Sequence, residues 1–360
     1  MKRTAIILLL IVCLTLSGCG PWLSREYLWE QDHLIPSAPD SGQNVVVADY
    51  GQLVKVLTDF IERGTELFSV SVAQYDRTVL ERDVDQAVAS VRATNPIAAY
   101  AVSDVTCRIG TVAGETVLVV QVDYLHDHTE ISNILTVSDN EAAKVAIGNA
   151  MNECSSGIVL RVESFVEEDF MVAAELYAMQ YPQYVMETPQ ISVTVYPESG
   201  TNRVLVIRFN YANSRDVLRD MQSQVLTVFD ASVNMVSLAT SQKEKYQQMY
   251  VLMMERFQKY TIETSVTPAY SLLLHGVGDA RAFAILYAAM CHEAQLECYV
   301  VTGTKGGKQW YWNIVNIDGV YYHVDLLRSK GDGTLRLMTD QIINEGYVWD
   351  FSAYPKCTGK

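Results

Sequence analysis

The chain has 360 residues, of which 49% are hydrophobic and 19% charged, a composition typical of a folded protein of two or three domains rather than a disordered one. Its formal net charge is −15 and it contains no basic run, which argues against nucleic acid as a partner. The seven cysteines form no C-x-x-C pair and have no Cys/His spacing suited to zinc, so the sequence predicts no metal site and no cofactor.

The first predicted element is an export signal. Lys2 and Arg3 precede an apolar run over residues 5–14, which is too short to span a bilayer and has the form of a signal-peptide core. The Leu16-Ser17-Gly18-Cys19 sequence that follows resembles the bacterial lipobox. This resemblance implies a signal peptide over residues 1–18 and a lipid on Cys19 that holds an exported, extracytoplasmic chain at the bacterial cell membrane. An uncleaved N-terminal anchor with an incidental cysteine is the alternative.

Residues 19–43 contain three prolines and show little periodicity, which predicts a lipidated surface tether. An internal repeat then occupies the middle of the chain. The segment VLVVQVDY, which ends at Tyr124, is echoed by VLVIRFNY, which ends 87 residues later at Tyr211. Each unit predicts the order helix, strand, helix, strand, strand. We therefore predict α+β repeat modules over residues 44–138 and 139–240, the second with a linker helix, whose role is to space, present or bind.

Four metal-ligand residue types follow the last strand of the first repeat, at His126, Asp127, His128 and Glu130. Such side chains can bind zinc or nickel. The second repeat has Ala212-Asn213-Ser214-Arg215-Asp216 at the corresponding place, so a solvated loop is the preferred interpretation.

The last predicted domain covers residues 241–360, after a polar helical segment that breaks near Ser241. A turn over residues 275–279 opens a helix that runs to about Ala294 and carries an apolar stripe. Strands containing Trp310-Tyr311-Trp312-Asn313 and residues 321–325 follow, and Asp318-Gly319 between them predicts a hairpin turn. The stripe consists of Phe283, Leu286, Tyr287, Met290 and Ala294.

This order resembles the transglutaminase-like family of the papain-like superfamily, whose pattern is a G-V-C turn opening a helix, an H-x-W-N strand and a strand closing on Asp. The resemblance implies an α+β fold and a thiolate at a helix N-terminus, with a His as base and an Asp that orients it. Alignment on the turn and on Trp312-Asn313 places Gly278 at the Cys position and Trp310 at the His position. Only Asp325 is retained. Cys291 lies too far along the helix to reach the same groove, and neither Cys298 nor Ser271 has the helix N-terminus that activates the family thiol.

Two interpretations of this domain remain open. In one, the groove is packed shut because Trp310 fills the space left by the missing side chain at Gly278. In the other, the groove still binds an extended peptide or a cell-wall strand, with Trp310 and Trp312 as stacking surfaces and Asp279 beside them. Cys291 and Cys298 could form a disulfide or remain buried thiols.

The sequence thus predicts a membrane-anchored lipoprotein with two α+β repeats and a pseudoenzyme domain that binds or scaffolds at the cell envelope. Its expected partners are the membrane, through the lipid on Cys19, and an extended peptide, a cell-wall strand or an envelope protein. The competing hypothesis is an enzyme, a cysteine peptidase or transglutaminase-type acyl transferase with a non-standard nucleophile.

Overall fold

A computed structural model describes residues 45–112, 114–261, 266–328 and 333–359. The predicted signal peptide, Cys19 and the predicted tether lie outside these described residues. The described chain forms two compact units. One comprises the residues up to Val91 together with Ala101–His128, and the other comprises Arg92–Tyr100 together with the residues from Thr129 onward. The fold is mixed α+β with several sheets.

The first unit is built on a three-stranded antiparallel sheet of order β1-β3-β2. Asp49 caps the first helix by accepting a hydrogen bond from the backbone N–H of Gln52. In the sheet, Val70 of β1 lies opposite Leu118 of β3, and both side chains are buried. The elements in this part of the chain are α1 (Tyr50–Glu62), β1 (Leu67–Ser71), α2 (Leu80–Thr94), α3 (Pro96–Ala101), β2 (Val102–Val112) and β3 (Glu115–Tyr124).

The next segment contains the same succession of helix, strand, helix, strand and strand, without a counterpart of α3, and adds a short helix and a strand before it. Its sheet has the order β4-β5-β7-β6, in which β5, β7 and β6 pair antiparallel as β1, β3 and β2 do. Leu160 of β5 lies opposite Leu205 of β7, in the place that Val70 and Leu118 take in the first sheet. The elements are α4 (His128–Ser132), β4 (Leu135–Asp139), α5 (Asn140–Asn152), β5 (Gly157–Ser164), α6 (Phe170–Gln180), β6 (Gln190–Tyr196) and β7 (Arg203–Asn210).

The C-terminal segment surrounds α10 with helices on one side and a four-stranded antiparallel sheet of order β12-β11-β10-β13 on the other. A short parallel ladder pairs Lys259 of β8 with Gly278 of β9. The elements are α7 (Arg215–Val236), α8 (Gln242–Arg256), β8 (Gln258–Lys259), α9 (Pro268–His275), β9 (Val277–Gly278), α10 (Ala280–Glu293), β10 (Cys298–Lys305), β11 (Lys308–Ile317), β12 (Val320–Val324), α11 (Asp340–Ile343) and β13 (Tyr347–Trp349).

Several local predictions are confirmed in this segment. The long helical stretch breaks where Ser241 caps α8, and the predicted stripe on α10 is buried. The turn between β11 and β12 has positive φ at both Asp318 and Gly319, which the two-residue hairpin requires. Burial extends beyond the stripe, because α10 is enclosed by α7, α8 and α9 as well as the sheet. Within the described ranges, no helix is both long and apolar enough to cross a membrane.

Candidate functional site

The turn before α10 positions Gly278 and Asp279, two of the residues that the sequence analysis singled out. Gly276 ends α9 in the left-handed region at φ +70°, and Asp279 then caps α10 by accepting a hydrogen bond from the N–H of Ala282 at 2.9 Å. The first residue of the helix is therefore Ala280, and Gly278 lies in β9 before the cap. Asp279, predicted as a binding residue, has its Oδ1 engaged in the cap.

The space at Gly278 is closed by its own neighbours. A Cβ added there would lie 2.9 Å from the Cβ of Ala282 and 3.1 Å from Cδ1 of Leu272. The atoms nearest to this position belong to Leu272 of α9 and Ala282 of α10, and not to Trp310, which the sequence predicted to fill the space. Gly278 supplies no nucleophile, and the side chains of Leu272 and Ala282 leave little room for one at this position.

Trp310 instead contacts the carboxylate of Asp325. The indole Nε1–H donates to Oδ2 of Asp325 at 3.0 Å, and the same oxygen accepts hydrogen bonds from Lys305 Nζ at 2.8 Å and from the hydroxyl of Tyr347 at 2.6 Å. Oδ1 accepts from the backbone N–H groups of Leu327 and Arg328. The Asp325 side chain is 2% exposed, so its buried charge is compensated by an ion pair and by five donors.

The same carboxylate affects its neighbours. Burial, followed by the hydrogen bond to Asp325, raises the pKa of Tyr347, so that this phenol remains a neutral donor. Lys305 Nζ lies 4.7 Å from the centre of the Trp310 ring, and Lys259 Nζ lies 4.6 Å from it. The partly buried indole thus has two ammonium groups beside it.

Trp312, two residues further along β11, has a different environment. It is 1% exposed, and its indole lies over Gly303 of the next strand, where an added Cβ would approach the ring to 2.7 Å. Tyr347 and Trp349 pack edge-on against it at ring-centre distances of 5.3 and 5.8 Å. This corrects the expectation that Trp312 is a stacking surface, since its faces are covered by the protein.

The buried His323 has a defined tautomer. Trp312 Nε1 lies 3.0 Å from His323 Nδ1, and an indole N–H can only donate, so Nδ1 is the acceptor. Nε2 then carries the proton and donates to Oδ1 of Asp340 at 2.9 Å. Burial lowers the pKa of His323, against the opposing effect of Asp340, which is consistent with a neutral ring.

Cys357 completes this second cluster. One ligand atom each from His323, Asp340 and Cys357 lie within 4.8 Å of one another, a set that resembles a metal centre. A metal would need the lone pair of His323 Nε2, but that nitrogen is the protonated one as long as Trp312 donates to Nδ1. Burial and then Asp340 raise the pKa of the Cys357 thiol to about 12, so it is held in the protonated form. The cluster is best explained as a hydrogen-bond network. It connects His323 of β12 with Asp340 of α11, and Asp340 in turn with the backbone N–H of Cys357 near the end of the chain.

The other candidate nucleophiles are also buried. Cys291 and Cys298 are free thiols with 0% and 2% exposure, and burial followed by the hydrogen bond to Cys291 raises the pKa of Cys298. Ser271 is 4% exposed, and its hydroxyl has no partner in the described part of the chain. None of the three donates to a nitrogen of His323, whose two hydrogen bonds go to Trp312 and Asp340.

The chain matches a known protein family over part of its length. The profile of the transglutaminase-like superfamily matches residues 230–326, a range that begins inside α7 and ends just after Asp325. The C-terminal half of the chain therefore contains a transglutaminase-like domain. No match was found among curated proteins.

Three solved structures show similarity to the chain. The first is a candidate cysteine protease from Cytophaga hutchinsonii, with 13% identity, a TM-score of 0.27, and coverage of 42% of this chain and 65% of its own. The second is a TGase, with 10% identity, a TM-score of 0.24, and coverage of 47% and 50%. The third is a candidate protease from Parabacteroides distasonis, with 10% identity, a TM-score of 0.24, and coverage of 58% and 45%. In each case the alignment spans less than two thirds of the relative's length.

Proposed function

We propose that this protein is an exported lipoprotein, anchored through Cys19, whose transglutaminase-like domain is catalytically inactive and serves in binding or scaffolding at the bacterial cell envelope. The two segments with the same element order are, in this proposal, duplicated modules that present the domain. The proposal rests on the hydrogen bonding of the buried Asp325 carboxylate. In this proposal the indole of Trp310 donates to it from the position where the family has its titratable base. Gly278 contributes no thiol at the other family position.

An active site of this class needs a nucleophile and a base that exchange a proton. The indole of Trp310 neither titrates nor accepts a proton. The nearest substitute is the cluster of His323, Asp340 and Cys357, and there both nitrogens of the histidine are hydrogen-bonded to groups other than the thiol. The enzyme alternative would require that this network rearrange.

The lysines beside Trp310 support a binding role. Lys259 is exposed and the Lys305 side chain is 33% exposed, and we take the surface that they form with Trp310 as the binding groove of this proposal. A ligand there would meet positive charge on a chain whose net charge is −15. We propose as ligand an extended peptide or cell-wall strand that carries carboxylates. Such groups would pair with Lys259 without displacing the buried ion pair of Lys305 with Asp325.

Co-sedimentation of the full chain with purified cell wall tests this proposal. Wild-type protein should sediment with the wall, and Lys259→Glu should reduce the bound fraction. The exposed Lys243 provides the control, because Lys243→Glu makes the same charge change away from the groove. Equal binding by the two variants would exclude the groove as the binding surface, and no binding by wild type would contradict the wall strand as ligand.

A further inference from the structure

A groove with a volume of about 590 Å³ lies between the helices α5 and α6. Its lining includes Val145 of α5 and Val172 and Leu176 of α6, which are 61%, 51% and 60% exposed. Three aromatic residues also line it: Tyr177, Tyr181 and Tyr184. Exposed apolar side chains that line one concave surface and are bordered by charged residues are typical of an interaction site.

Contacts between the two helices fix the aromatic part of this groove. Asn152 of α5 donates to the hydroxyl of Tyr177 at 2.7 Å, and a Cβ added at Gly148 of α5 would overlap the Tyr177 ring. Tyr181 packs beside Tyr177, with the ring centres 4.6 Å apart. A partner would therefore meet a surface that is already ordered, which lowers the entropic cost of binding.

The corresponding helices of the first segment are polar at the same positions. By count from the first residue of each helix, the apolar positions of α5 and α6 correspond to three exposed polar residues of α1 and α2: Lys55, Arg82 and Gln86. The outer face of a surface helix is ordinarily polar, as it is in the first segment. The change to valine and leucine in the second segment indicates a face that a partner covers.

The charges beside the groove indicate which kind of partner fits it. Its described charged lining residues are three acids and one lysine: Glu141, Glu168, Asp169 and Lys144. The lysine is engaged by two of the acids, since Lys144 Nζ lies 2.8 Å from Oε1 of Glu141 and 2.5 Å from Oε1 of Glu168. The lining is negative as a whole, which favours a partner with basic residues beside its apolar ones.

This charge disfavours two other occupants. Residues 20–43 of the chain itself carry one arginine against four acidic residues, so the groove would repel them. A second copy of the chain, paired about a two-fold axis through this face, would set the same acids against one another.

We propose that the groove between α5 and α6 binds an amphipathic helix of another protein, with apolar residues against Val172 and Leu176 and basic residues toward Glu141. A groove between two helices accepts the side-chain ridges of a third helix, and such recognition uses apolar anchors three or four residues apart. The site uses residues of the second segment alone, so it does not depend on the groove at Trp310 or on the catalytic state of the domain.

Fluorescence titrations of the full chain with three synthetic peptides of about 14 residues, close to four helical turns, test the proposal. The first peptide has leucine at helical stripe positions and lysine elsewhere. The second replaces each lysine by glutamate, and the third has the composition of the first in an order without a stripe. The first should bind at least about tenfold more tightly than either of the others.

This comparison uses the wild-type chain and so does not depend on the folding of a variant. Equal binding of the first and third peptides would overturn the proposal, because it would show a general attraction of basic peptides to a chain of net charge −15. Equal binding of the first and second peptides would exclude a basic partner.

Variants locate the site. Replacing both apolar residues, Val172→Gln with Leu176→Gln, should weaken binding of the first peptide by about tenfold or more, because two apolar contacts are lost. Leu238→Gln is the control, on a side chain that is 86% exposed in the turn after α7. Glu141→Lys should also weaken binding, and Glu81→Lys, in the first turn of α2, is its matched control. Circular dichroism checks that each variant keeps its helix content.

Three results would contradict this assignment. Unchanged binding by the variants in α5 and α6 would place the peptide elsewhere. A dimer of the wild-type chain that the double variant abolishes would identify a second copy as the occupant. Displacement of the first peptide by a synthetic peptide of residues 20–43 would identify the chain's own N-terminal segment instead.

Discussion

The indole N–H of Trp310 lies 3.0 Å from Oδ2 of Asp325 and donates a hydrogen bond to it. The sequence predicts that Trp310 stands at the position of the family histidine. In the structure the group that donates to the acid from this position is the indole N–H. The indole keeps the hydrogen bond and cannot perform the proton transfer. Lys305 and Tyr347 bind the same oxygen, and the aspartate thus has a structural role in this chain.

The first prediction concerns this hydrogen bond. Trp310→Phe should lower the free energy of unfolding by about 1–2 kcal/mol beyond its packing cost, because it removes a donor from a buried carboxylate. Urea unfolding of Trp310→Phe, Asp325→Asn and the double variant measures the coupling between the two positions. Additive effects of the two substitutions would show that the hydrogen bond contributes nothing to stability.

The second prediction concerns the missing nucleophile. Gly278→Cys should lower the free energy of unfolding by about 1–3 kcal/mol, since its Cβ would overlap Ala282 and Leu272. Gly110→Cys is the control, because an added Cβ there has no atom within 4 Å. Equal stability of the two variants in urea would contradict the packing described at Gly278.

The third prediction is a pH dependence due to His323. Burial lowers the pKa of His323 in the folded chain below its usual 6.5, so the unfolded chain takes up the proton first as the pH falls. The contribution of His323 to stability should be complete above about pH 6.5 and should decrease below it, down to the pKa of the folded state. NMR titration of the folded chain gives that pKa directly, and a value at or above 6.5 would contradict the lowering of the pKa by burial.

Helix starts and turns that depend only on neighbouring residues could be predicted from the sequence. The start of α10 was predicted from the turn over residues 275–279, and the turn between β11 and β12 from Asp318-Gly319, because in both cases neighbouring residues satisfy the backbone. The role of Asp279 as the cap was not predicted. The alignment of Trp310 with the family base stays a prediction.

Contacts between distant residues were not predictable in the same way. Lys305 reaches Asp325 from β10, and Tyr347 reaches it from β13, and no local pattern indicates either contact. The pairing of Asp340 with Cys357 and His323 also depends on how the C-terminal segment packs. The alternation of side chains along a strand placed Trp310 and Trp312 on one face of β11. It could not show that Tyr347 and Trp349 cover the indole of Trp312.

The fourth prediction concerns the anchor. Cys19→Ala should abolish both lipidation and signal-peptide processing, because the cysteine thiol carries the lipid and cleavage precedes it. Fractionation and intact-mass measurement of the wild-type and variant chains test this. A variant that stays in the membrane with the same mass as wild type would contradict lipidation at Cys19.

The most direct test of the central claim is an assay of the purified wild-type chain for amide hydrolysis and for cross-linking of glutamine-containing peptides to an amine, followed by mass spectrometry. Loss of a catalytic unit of nucleophile and base removes about 10⁶ of rate in a well-studied hydrolase, so we predict no turnover above the buffer blank. Turnover that disappears in Cys357→Ala or Ser271→Ala would contradict the account, because it would identify a working nucleophile in a domain that we propose has none.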